Sequence, residues 1–326
     1  MTLATNAFTT YLAVGMKENV SNIINNVSPA ETPFYSMVKK FAVTNRLYQW
    51  QTDTLNIPAA NAQLEGDVVS VSASTATTML TNRTQIAYKS MGVTDTARTV
   101  NDYGRADDYD YILMKRGKEL KGDVELALLA NKIQDAGSST TARTNAGFLT
   151  FIKNVVHSSG TNLATGSSLL TLLAGATTAL TYVQISSAMT MAYSAGGSPT
   201  MMMTTPTLKR AFSGLAFSAT PSTADVRYNI DSPKPAVAIG TVERWLSDFG
   251  TVDVMVNRQM SRQTGDTILS SSMFLIDPKY VRCGILQDVE VIPLAKRGLS
   301  DEAFIRCEFT LEVGSPDAHA VLIGQT

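Results

Sequence analysis

Residues 305–313 read IRCEFTLEV and alternate apolar with polar side chains without exception. Ile305, Cys307, Phe309, Leu311 and Val313 share one side; Arg306, Glu308, Thr310 and Glu312 share the other. A period of two is that of a β-strand, so the stretch predicts a ribbon with one dry face and one wet face. At ~3.3 Å per residue it spans roughly 30 Å, longer than the usual strand of about five or six residues.

The pattern has a different period upstream, in ADDYDYILMKRGKELKGDVELALLANKIQDAG, residues 106–137. Tyr109, Leu113, Leu120, Val124, Leu128 and Ile133 form a helical stripe. Asp107, Asp108 and Asp110 crowd its first turn, where the helix dipole favours anions, and Gly137 is placed to end it. The pattern predicts a helix of about 28 residues, ~40 Å at 1.5 Å per residue. Gly117 and Gly122 inside it point to a bend or to close packing. Around these elements DVEVIPLAKRG, SMFLIDPKYVRCGIL and AHAVLIG read as further strands.

The middle of the chain has the punctuation of a compact α/β module. Thr181 and Gln184 form a capping box ahead of Ile185, Ala188, Met189 and Ala192, and Gly196-Gly197 closes that helix. PTMMMTT is a strand; Thr205 and Pro206 then open a second helix with Leu208, Phe212 and Leu215 on one side. AVAIGTVERWL and TVDVMVNRQM are strands. The first forty-odd residues read instead as an arm, with a helical candidate at Leu12–Ile24 and breaks at Pro29 and Pro33. Residues 51–98 form a long two-stranded excursion. Eight of the fifteen residues from Ser70 to Thr84 are Ser or Thr, so it lacks the apolar surface to bury itself.

Composition bounds the chemistry. The chain has 326 residues, 44% of them apolar, with 27 basic against 28 acidic side chains. A core is available, and a generally basic grip on nucleic acid is not. Cys283 and Cys307 read as reduced, buried thiols, since their spacing fits neither a disulfide framework nor zinc. No signal peptide opens the chain, and LLTLLAGATTAL, 169–180, is too short and interrupted to span a membrane. Gly117-Lys118 is followed by Glu119 and makes no phosphate loop; no G-x-S-x-G or H-E-x-x-H occurs. His157 reads as a loop histidine without a catalytic partner, His319 as a strand residue, Met201–Met203 as core, and the three aspartates as a solvated first turn rather than metal ligands. No catalytic, cofactor or metal site is expected.

The order of parts resembles the major capsid protein of tailed bacteriophages, whose shell fold is shared with herpesviruses and encapsulins. The stretches that carry the resemblance are ETPFYSMVKK with YQWQTDTL, LTNRTQIAYKSMGVTDTARTV, KRGKELKGDVELALL, SAGGSPTMMMTTPTLKRAFSGLA, SDFGTVDVMVNRQM and PLAKRGLSDEAFIRCEFTLEVGSPDAHAVLIG, spanning almost the whole chain. The departures are Ser315-Pro316-Asp317 in place of the family's Asn-Pro and Arg297 in place of a Thr. The resemblance implies an α+β chain with an N-terminal arm (1–50), an extended loop (51–98), a peripheral domain of spine helix and long strands (99–145 and 286–316) and an α/β axial domain (146–285 and 317–326).

It further implies a structural subunit, not an enzyme, of the icosahedral shell of a double-stranded DNA phage, assembled in the bacterial cytoplasm and resident in the virion. Its partners would be copies of itself in hexamers and pentamers, a separate scaffolding protein, a portal at one vertex, packaged DNA held without sequence specificity, and an optional decoration protein, with no membrane. No fused scaffold is expected ahead of the arm, and the chain is expected to stay uncleaved. The extended loop would lie across a neighbouring subunit, with Glu65, Asp67, Arg83 and Lys89 as candidate intersubunit contacts. An encapsulin-like compartment enclosing cargo enzymes is the alternative. A third reading, an enzyme with a mobile lid at 51–98, predicts a small oligomer instead of a shell.

Overall fold

A computed structural model describes residues 31–66, 68, 76–100, 107–157, 162–163, 177–216, 242–262, 267–296 and 298–326. The helix expected at 12–24 and the apolar run from 169 to 176 lie outside them.

Two sheets share one core. The first is four-stranded, in the order β1 (Lys39–Ala42), β11 (Val281–Pro293), β12 (Ser300–Val313), β4 (Gln85–Thr94). IRCEFTLEV is the inner part of β12, a strand of 14 residues held antiparallel between β11 and β4. Its apolar side packs beneath α3 (Asp108–Leu129), where Ile305, Cys307, Phe309, Leu311 and Val313 meet Leu120, Val124 and Leu128. Asp107 caps α3 by accepting the Tyr109 N–H at 2.8 Å.

The helix stops eight residues before Gly137, at 22 residues instead of about 28. Ala130 leaves the helical conformation, and Gly137 serves a surface loop closed by the Asp135–Thr144 bridge. The reason is packing. Gly147 lies so close that a Cβ there would sit 2.0 Å from the Ala130 carbonyl oxygen, so the returning chain occupies the space a longer helix needs. Gly122 marks close packing, with the Gln259 side chain 3.6 Å from where its Cβ would be.

The second sheet has seven strands, in the order β6 (Asn162–Leu163), β5 (Asn154–His157), β13 (Ala320–Ile323), β10 (Met273–Ile276), β7 (Met201–Thr204), β9 (Gly250–Val256), β8 (Arg244–Ser247). Met201–Met203 occupy an interior strand, as their composition predicts. His157 ends β5 opposite Ile323, not in a loop. On one side lie α5 (Tyr182–Ser194), with the expected capping box, and α6 (Pro206–Ala216). On the other lies the core shared with the first sheet: Phe148, Phe274 and Val321 belong to the same cluster as Leu311 and Leu128. SMFLIDPKYVRCGIL is therefore not one strand. Pro278 opens a 3-10 turn (Pro278–Tyr280), and the two halves pass into different sheets as β10 and β11.

The remaining strands, β2 (Leu47–Thr52) and β3 (Thr78–Arg83), make a separate two-stranded ribbon. After Thr84 the return strand leaves the ribbon and joins the four-stranded sheet as β4.

Candidate assembly surface

The wet face expected for β12 is dry over its second half. Glu308, Thr310 and Glu312 are buried, because the ribbon and the loop after α3 lie across them. An alternating pattern reports only that one side is polar. It does not say whether water or other polar groups satisfy that side.

Here protein does. Arg143 pairs with Glu308 and donates from Nε to the Thr84 carbonyl at 2.6 Å; the Thr84 hydroxyl donates to Glu308 at 2.5 Å. Arg282, directly opposite on β11, pairs with Glu312, which also accepts from the Tyr48 hydroxyl at 3.1 Å. Burial and the adjacent carboxylate raise the Tyr48 pKa, which keeps the phenol a donor. Tyr48 and Trp50 point to one side of the ribbon by strand alternation. Trp50 donates from Nε1 to the Val313 carbonyl at 2.9 Å, and its ring lies 5.8 Å from both Tyr48 and Phe151. Asn82, paired opposite Tyr48, donates to the Leu311 carbonyl at 2.7 Å and accepts the Ala146 N–H at 2.8 Å. The ribbon is thus fastened at its root by buried polar bonds.

Past the root that anchorage ends. Leu55, Ile57, Leu64 and Val68 are 97%, 90%, 81% and 88% exposed. Of the candidate contact residues, Glu65 is exposed in the turn that ends with Gly66, at φ +86°. Asp67 lies outside the described residues. Arg83 closes β3, and its carbonyl accepts from the Thr310 hydroxyl at 3.0 Å. Lys89 faces α3 and pairs with Asp123 of the same chain at 2.7 Å. Among the described residues no bond joins Glu65, Arg83 and Lys89 to one another.

Two buried titratable groups elsewhere are structural. Glu125, on α3, accepts the N–H groups of Phe34 and Tyr35 at 2.8 and 2.6 Å and the Asn257 amide at 2.7 Å. It ties the N-terminal end of α1 (Pro33–Met37) to the helix and to the chain leaving β9. Burial raises its pKa while the three donors pull it down. No sequence pattern marks this residue; it looks like any helical glutamate. His319 accepts the Asp277 N–H at Nδ1, 3.1 Å away, and burial drives its pKa down to about 3, so it is neutral. Both cysteines are buried and free, their thiols pushed up by burial to about 12 for Cys283 and about 11 for Cys307. Among the described residues no group of three His, Cys, Asp or Glu could hold a metal, and no helix is long and apolar enough to cross a membrane.

The fold is that of tailed-phage capsid proteins. A chain solved from Gordonia phage Cozz superposes with a TM-score of 0.63 at 15% identity, over 98% of this chain and 96% of that one. The capsid of an empty GTA particle gives a TM-score of 0.61 at 13% identity, over 98% and 100%. The major capsid protein of Escherichia phage Phieco32 is 38% identical over 126 residues, 38% of this chain and 36% of that protein's length. The chain therefore matches about a third of the length of this curated relative. The family model described as SU10 major capsid protein matches residues 3–326. This chain belongs to the SU10 major capsid protein family.

Proposed function

We propose that the chain is the structural, non-enzymatic subunit of the icosahedral capsid of a tailed double-stranded DNA phage. Copies associate as hexamers and pentamers around the genome. Family membership and the capsid fold support this reading over an encapsulin-like compartment. The observation that carries it in the chain itself is the ribbon and the segment beyond it: a root held by buried polar bonds, then four apolar side chains largely exposed. Removing side chains of this size from water stabilises by about 1.5–3 kcal/mol each, and a neighbouring subunit is the surface that provides for it. Scaffolding protein, portal, decoration protein and assembly in the bacterial cytoplasm belong to the same reading, as do contacts through Glu65, Asp67, Arg83 and Lys89. For Lys89 a contact to a neighbour would add to its pair with Asp123.

The four parts expected from the sequence remain the proposed division into arm, extended loop, peripheral and axial domains. Sheet membership draws β1 and β4 towards the peripheral part.

The test replaces Leu55, Ile57, Leu64 and Val68 together by Ser. The variant is expected to keep the circular dichroism and melting of the wild-type subunit but to sediment as free subunits or capsomers where the wild type forms shells. Normal shells from the variant would remove the ribbon from assembly; a wild-type protein that never closes into shells would remove the function.

A further inference from the structure

We infer that the side of α3 turned away from the sheet, continued by the loop after β9, is a cationic strip that faces packaged double-stranded DNA. The inference rests on the reading of the chain as the subunit of a DNA-filled shell. It adds which face of the subunit meets the genome and through which residues.

Lys115, Lys118 and Lys121 recur every three residues on α3, all exposed. At 100° per residue, Lys115 and Lys118 lie away from the Leu120–Val124 side that packs on the sheet, and Lys121 lies at its margin. Among the described residues none of the three ammonium groups has an ion-pair partner, whereas their helical neighbours are paired: Arg116 with Glu119 and Asp123 with Lys89.

The strip does not end with the helix residues. Gln259 rests against Gly122, and Asn257 bonds Glu125, so the loop after β9 is laid along the same helix. Arg258 and Arg262, both exposed, belong to this loop. Arg258 makes a long, exposed ion pair with Glu31, at 4.0 Å, which offsets its charge only in part. Five exposed cations thus sit on α3 and on the loop laid against it, in a chain whose net charge is −1.

Orientation follows from β12. Its apolar side lies under α3 and its polar side under the ribbon root, so strip and ribbon are on opposite faces of the four-stranded layer. A shell has one inner face, and the genome is the polyanion inside it. Lysine ammoniums are compact point charges suited to phosphates irrespective of sequence, which matches packaging of an entire genome.

The test compares the wild-type subunit with Lys115→Gln, Lys118→Gln, Lys121→Gln, Arg258→Gln and Arg262→Gln combined. A control carries Lys39→Gln, Arg46→Gln and Lys279→Gln, also exposed but off the strip. Each is titrated with a random-sequence 30-base-pair duplex over a potassium chloride series, and shells are assayed for retained DNA. Neutralising phosphates releases about 0.9 counterion each, so the slope of log affinity against log salt is expected to become shallower by roughly four in the strip variant. The control should change little, and strip-variant shells should lose DNA at lower temperature than wild type. Equal slopes in strip variant and wild type would overturn the inference. So would a strip variant that binds DNA normally yet closes no shells, because the strip would then meet an acidic assembly protein. Wild-type particles that close without DNA would instead overturn the underlying reading.

Discussion

His319 is the residue whose environment is felt as a pH dependence. It is neutral in the folded chain down to about pH 3, whereas an unfolded imidazole takes its proton near 6.5. The unfolded state therefore binds more protons between these values, and stability falls as pH drops through that window. Between pH 6.5 and 5, above the range where ordinary carboxylates titrate, the loss is expected to be about 1.5 kcal/mol. Urea unfolding of the unassembled subunit at those two pH values measures it, and His319→Asn, which preserves an acceptor for the Asp277 N–H, should flatten the difference. An unchanged pH difference in that variant would locate the titration elsewhere. Glu125 acts with the opposite sign. Its raised folded pKa means its contribution weakens as pH rises from the ordinary carboxylate value to the raised one.

At the scale of elements, the clamp between β12, the ribbon and the loop after α3 decides how the ribbon is aimed. Removing one partner of a buried ion pair leaves an uncompensated charge, while replacing both by apolar groups of similar size is close to neutral. Arg143→Met is therefore expected to cost about 3 kcal/mol of subunit stability, and Arg143→Met with Glu308→Leu to recover most of it. A double variant as unstable as the single one would show that Glu308 matters mainly through its bond with Thr84. Hydrogen exchange gives the same element a second measure. Amides of β2 and β3 should be protected before assembly, with residues 53–66 exchanging freely until a neighbour covers them.

For the whole molecule, the shared core makes the two sheets one folding unit. The Phe148 ring lies 5.7 Å from that of Phe274 in the seven-stranded sheet and 5.4 Å from that of Phe34 in α1, and it belongs to the cluster that includes Leu311 of β12. Denaturation of the unassembled subunit is expected to show a single transition, coincident by Trp50 in the ribbon and Trp245 in β8, at the edge of the seven-stranded sheet. Phe148→Ala should lower both midpoints together, with a loss of about 3–5 kcal/mol. Two separated transitions would mean that each sheet has a core sufficient to itself.

What the sequence by itself determined was local in origin. The period of two in IRCEFTLEV, the capping box at Thr181 and the apolar stripe of α3 as far as Leu128 each express backbone geometry within one element and appear where the pattern places them, whereas Ile133 falls beyond the helix. The order of those elements was enough to identify the shell fold. Tertiary structure alone decided which polar side chains are wet. Glu308 and Glu312 alternate as solvated residues would, yet they are buried because Arg143, Arg282 and Tyr48 arrive from elsewhere to receive them. The end of α3 was settled in the same way, by a chain segment occupying the next turn, and so was the packing of the loop after β9 against Gly122. Periodicity records the contrast between the two sides of an element. What lies against each side is a long-range fact, created only when the chain closes on itself.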